Sequence, residues 1–137
     1  MPTLKYKKGY KYQLTQDFQI QTDIEHHFLI NTHFIDLDLE GNLLIKEDYC
    51  WDGPSGPTID TKNFMRGSLV HDALYQLMRM GKLPLTWRDH ADKLLRKICC
   101  EDGMCWIRAF WVYRALYRFG KSSAMPENKK ILWVINY

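Results

Sequence analysis

The residue types able to do chemistry gather in one stretch, from Trp51 to Tyr75. There a glycine- and proline-rich loop runs into a segment carrying His71, Asp72 and Tyr75. On a predicted helix His71 and Tyr75 stand four apart and share a face, with Asp72 turned about 100° from His71. Asp89 and Asp92 stand three apart on a second predicted helix and also share a face. The short link MGKLPLT makes the two helices antiparallel neighbours, so an aspartate of the second helix can reach His71 across the pair. A histidine oriented by an aspartate can take a proton from water, which is the first requirement of general-base hydrolysis.

The loop supplies the second requirement. Gly53, Pro54, Gly56 and Pro57 keep WDGPSGPTID (residues 51–60) out of regular structure and leave its carbonyls without repeating partners. Calcium and similar hard cations take such carbonyls together with carboxylates and water. Asp72 can be the carboxylate, which sets a cation beside a His–Asp pair, where it can stabilise the oxyanion formed by attack on an ester. The same residues also have a plainer reading as helix-capping and core-packing groups. Zinc held by Asp52, His71 and His90, or a metal phosphohydrolase site of the His-Asp type, finds no support in ligand spacing. His26, His27 and His33 likewise lack metal-ligand spacing and read as surface residues.

These groups need a scaffold, and the pattern predicts an α+β one: a small N-terminal antiparallel sheet, then a helical hairpin and a third helix. YKYQLTQDFQI, from Tyr10 to Ile20, alternates apolar and polar residues as a half-buried strand does. HFLINTHFIDLDL and NLLIKEDY flank Glu40-Gly41-Asn42 and read as a hairpin with Gly41 in the turn. The first helix begins near Thr61 or Lys62 and runs to Met80, where Gly81 and Pro84 stop it. Leu74, Leu77 and Met78 should form its core contact. Thr86 is the expected N-cap of the second helix, with Asp89 three residues on, and that helix runs to about Cys100. Gly103 separates it from a third, Met104 to Phe119, which ends at Gly120. The tail holds Pro126 and then ILWVINY, a possible last strand. No repeat or linker divides the 137 residues, so one domain is expected: β-rich over 1–50, loop over 51–60, helical over 61–120, tail over 121–137.

Composition narrows the partners. A net charge of +3 with basic residues spread along the chain argues against nucleic acid, and the densest cluster, Lys5, Lys7, Lys8 and Lys11, reads as a solvated strand edge. No run is long and apolar enough to span a membrane, and no signal-peptide core is present, so a cytoplasmic location is expected. Cys50, Cys99, Cys100 and Cys105 lack C-x-x-C spacing and read as small reduced core residues; a secreted chain would leave room for a Cys50–Cys99 or Cys50–Cys105 bridge. The third helix mixes aromatic residues with Arg108, Arg114 and Arg118, a composition suited to a membrane surface. Equally, Trp111, Ala115 and Phe119 recur at core spacing.

His71-Asp72-Ala73-Leu74-Tyr75 resembles the H-D-x-x-Y helix motif of the phospholipase A2 superfamily, and WDGPSG resembles that superfamily's calcium loop in the matching register. The likeness is closer to the compact phospholipase domain of parvovirus capsids, through Gly53-Pro54, His71 to Tyr75, Gly81-Lys82 with Pro84, and Ala91-Asp92. It spans roughly residues 49–100. It implies His71 as base, Asp92 as its orienting partner and Tyr75 as a supporting hydroxyl. Calcium would be held by Asp72 and by the carbonyls of Trp51, Gly53 and Ser55, and the substrate would be a phospholipid or another ester. End to end, the chain also resembles a family of small proteins from tailed phages and prophages, a domain of unknown function. Its hallmark is a strand-rich start followed by a segment like WDGPSGPTIDTKNFMRGSLVHDALYQLMR. That likeness implies a phage or prophage origin, with the protein in the bacterial host's cytoplasm or in the virion. It leaves open a non-catalytic accessory or interaction role on the same scaffold.

Overall fold

The computed structural model describes residues 6–7, 12–25, 27–51 and 62–119, with backbone alone at 6–7, 62 and 115–119. They fall into two compact units divided between Asp52 and Gly53, the first built of strands and the second of helices, so the protein is α+β. The expected strand ILWVINY and the loop after Trp51 lie outside the described residues.

The strand unit holds β1 (Tyr6–Lys7), β2 (Tyr12–Leu14), β3 (Phe18–Gln21), β4 (Ile30–Asn31), β5 (Ile35–Leu37), β6 (Asn42–Ile45) and β7 (Cys50–Trp51). Among the described residues all pairings are antiparallel, in two sheets of order β1-β2-β7 and β3-β6-β5-β4. The run Tyr10–Ile20 is therefore not one strand. It bends at Thr15–Asp17 and feeds both sheets, and the Asp17 carboxylate accepts the Glu47 amide at 2.8 Å to hold the bend. Buried Tyr12, Leu14 and Phe18 keep the same parity across the bend, so the alternation conceals it. HFLINTHFIDLDL also folds back on itself. Thr32 bonds Ile35 through both its hydroxyl and its amide and makes the β4–β5 turn.

The β5–β6 hairpin forms where the sequence places it. Gly41 takes φ +92°, and the Asp38 carboxylate accepts the amides of Glu40 and Asn42 and the Asn42 side chain. These bonds, that of the Asn42 side chain foremost, hold the Asp38 carboxyl below its ordinary range. A β-carbon on Gly41 would lie 2.6 Å from Gln21 Oε1 and 2.8 Å from the Ile24 amide nitrogen. Gly41→Ala is thus expected to cost roughly 1–3 kcal/mol, read as a lower urea midpoint with unchanged slope. A midpoint equal to wild type would show that the turn relaxes freely.

The helical unit holds α1 (Lys62–Arg79), a 3-10 turn (Leu85–Trp87), α2 (Arg88–Glu101) and α3 (Trp106–Phe119). Both α1 and α2 end in the Schellman pattern. Lys82 and Gly81 amides return to Leu77 and Met78 carbonyls, and Met104 and Gly103 amides return to Cys99 and Cys100. Thr86 is not the N-cap of α2. It sits inside the 3-10 turn, Trp87 occupies the cap position, and no side chain caps the helix there. Leu74, Leu77 and Met78 are buried as expected, but burial extends around nearly the whole of α1.

Two features lock α1 to α2. A β-carbon on Gly67 would lie 2.7 Å from Leu95 Cδ1 and 2.9 Å from Cys99 Sγ, so the helices approach closely at a residue without a side chain. Beside it in sequence, buried Arg66 reaches Asp102 through Nε at 3.1 Å and Nη2 at 3.0 Å, and Glu101 at 3.0 Å. Burial pulls the guanidinium towards losing its proton, but the bonds to Asp102 and Glu101 outweigh it and raise its pKa.

Of the four cysteines expected in the core, Cys99 alone is buried; Cys50, Cys100 and Cys105 are exposed, and all four are free thiols. Burial chiefly pushes the Cys99 thiol up to about 12, which keeps it protonated and inert. It packs with Phe64, Leu95, Met104, Ala109 and Val112. Trp111 is not a core residue: its side chain is exposed, and Ala109 and Val112 carry the inner face of α3 instead.

Candidate active site

From Phe64 to Arg79 along α1 every residue is buried except His71 and Asp72. Within that stretch solvent therefore reaches the helix at His71 and Asp72. His71 keeps 13% of its side chain exposed, enough to meet a water at one edge of the ring.

Across the helix pair, His71 Nε2 lies 2.7 Å from Asp92 Oδ1. The Tyr75 hydroxyl donates to the same oxygen, also at 2.7 Å. Because a carboxylate oxygen accepts, Nε2 carries the hydrogen, and Nδ1 is left with its lone pair as the basic atom. The helix spacing brings the His71 and Tyr75 rings together, 4.1 Å between centroids and tilted by 34°. Two neighbours thus fix the imidazole, a carboxylate at one nitrogen and an aromatic face beside it. Burial first, and then the bond to Asp92, raises the Tyr75 pKa above the ordinary phenol range. Tyr75 consequently stays a donor throughout the working pH range.

Asp92 is fully buried, with its second oxygen 3.6 Å from Arg88 Nη1. Arg88 acts on Tyr75 as well, favouring the ionised phenolate that Asp92 disfavours. The sequence reading overlooked Arg88, although its position four residues before Asp92 on α2 is a usable signal. Asp89, which shares a helix face with Asp92, turns instead to α3 and accepts the Tyr113 hydroxyl at 2.7 Å and the Lys93 ammonium at 3.0 Å. The Tyr113 bond chiefly holds its carboxyl below the ordinary range.

The expected cation donors are only partly described. Asp72 presents a side chain 32% exposed, with Arg79 Nη2 3.8 Å from one oxygen. A partly exposed carboxylate one residue from the base is the donor type a hard cation takes. Trp51 is not a loop residue. It pairs with Tyr12 in the β2–β7 ladder, is buried, and stacks on the Tyr12 ring at 5.5 Å. Gly53, Ser55, Gly56 and Asp52 lie outside the described residues. Among the described residues no three His, Cys, Asp or Glu side chains converge as a metal site. His90 meets the edge of Trp87, and His27 and His33 are exposed.

Comparison with family models, with curated proteins and with solved structures finds no match to this chain.

Proposed function

We propose that this chain is a calcium-dependent ester hydrolase of the phospholipase A2 kind, from a phage or prophage, acting on a phospholipid or a related carboxylic ester. The observation that carries the reading is the joint contact of His71 and Tyr75 with one oxygen of buried Asp92. A structural histidine needs only one partner. Here the imidazole is oriented, its tautomer is set, and it stands at a partly exposed position between two buried stretches of α1.

In the proposed reaction Nδ1 of His71 takes a proton from a water whose oxygen bonds to the ester carbonyl carbon. Asp92 steadies the imidazolium formed at that moment, and Tyr75 holds Asp92 in place. The carbon–oxygen bond to the alcohol then breaks, and His71 returns its proton to the leaving oxygen. The products are a carboxylic acid and an alcohol. Calcium, when bound, would polarise the ester carbonyl, with the partly exposed Asp72 carboxylate as a donor to it.

Calcium titration with a phospholipid and a simple ester as substrates tests this reading. Wild type is expected to hydrolyse at millimolar calcium and to stop with chelator. Asp72→Asn should need more calcium, its rate partly rescued by excess, because it weakens a donor and leaves the base intact. No cleavage together with no bound calcium would replace the enzyme by a non-catalytic phage accessory protein on the same scaffold.

A further inference from the structure

Helix α3 carries two distinct faces. Ala109 and Val112 turn inward to the cluster with Phe64, Leu95, Cys99 and Met104. On the opposite arc Trp106, Ile107, Phe110 and Trp111 are exposed at 72%, 50%, 39% and 65%. Their spacing, one and four residues apart, places all four on one side of the helix. Single exposed apolar residues are ordinary, but a contiguous set containing two tryptophans marks a contact surface. Arg114, also exposed, stands one turn beyond Phe110 on the same arc. From Trp106 to Phe119 the sequence has three arginines and no acidic residue.

We propose that this face docks on a lipid bilayer bearing anionic headgroups. Charge decides the occupant. An apolar arc with arginine and no carboxylate complements an anionic interface, where indole rings sit at headgroup level and guanidinium groups meet phosphate. Pairing this face with the same face of a second copy would bring two arginine-bearing arcs together, with no acid on either helix to answer them. No described helix is long and apolar enough to cross a membrane, so α3 would lie in the plane of the interface. This inference stands on α3 alone. It would bring lipid to the unit that holds His71, but it uses nothing of the dyad.

The test is co-flotation of the full chain with vesicles of phosphatidylcholine, with and without phosphatidylglycerol, at low and high salt, alongside tryptophan emission. Binding is expected on the anionic vesicles, with a blue shift in emission and weakening at high salt. Trp106→Gln with Trp111→Gln should lower partitioning roughly tenfold or more. Arg114→Gln, an exposed change with little bearing on folding, should lower it roughly fivefold on anionic vesicles alone. His71→Ala should bind like wild type, which separates failure of docking from failure of catalysis. Three results would overturn the proposal: no flotation of wild type with anionic vesicles, unchanged binding by both variants, or a dimer in solution that the tryptophan changes dissolve.

Discussion

His71→Ala is expected to lower ester hydrolysis by about 10²- to 10⁴-fold, the contribution typical of a positioned general base. The loss should fall on kcat, since the imidazole acts in the transition state and not in holding the ester. Asp92→Asn should fall by a similar order for a different reason. An amide can present either a donor or an acceptor to Nε2, so the tautomer with a basic Nδ1 is no longer enforced. Tyr75→Phe removes one of the two donors to Asp92 Oδ1 and leaves the His71 contact, so its loss should be the smallest of the three. Initial rates on a short-chain ester, with circular dichroism to confirm folding, give this order directly. Wild-type rates for His71→Ala would place the catalytic base elsewhere. Equal loss in all three, with altered circular dichroism, would reduce the cluster to a packing element.

Asp102→Ala is expected to destabilise the protein by about 3 kcal/mol, because it strips a buried guanidinium of its bidentate partner. Arg66 has 6% of its side chain exposed, so water cannot take over the lost bonds, while Glu101 at 39% keeps only one of them. The double change Arg66→Met with Asp102→Ala should recover most of that stability, since it leaves no buried charge behind. Urea midpoints of the two single variants and the double variant measure the cycle. Near-zero coupling would mean that the pair behaves as a solvated surface contact. The outcome bears on the site, because the same helix pair that Arg66 clamps holds His71 against Asp92.

Local chemistry made much of this molecule legible. The Gly41 turn, the stops at Gly81 and Gly103 and the extents of the helices all depend on residues within a few positions of each other. Backbone freedom and helix-end hydrogen bonding act over the same short range. His71 and Tyr75 share a face because the helix repeat alone requires it. Strand boundaries were less legible. Parity survives the bend at Thr15–Asp17, and the contact that makes the bend comes from Glu47, 30 residues away in sequence. Trp111 was misplaced for a related reason: helical spacing states which residues share a face, and only the neighbouring helices state which face is inward.

The sequence by itself determined that an aspartate of α2 could meet His71, and left Asp89 and Asp92 as equal candidates on spacing. Tertiary structure decided between them. The close approach of α1 and α2 at Gly67 and the Arg66 clamp set how the helices meet, turning Asp92 into the pair and Asp89 towards Tyr113 on α3. Three residues on a helix differ by about 60° in direction. That difference is invisible in a pattern of spacings, and it becomes decisive once two helices pack at a fixed angle.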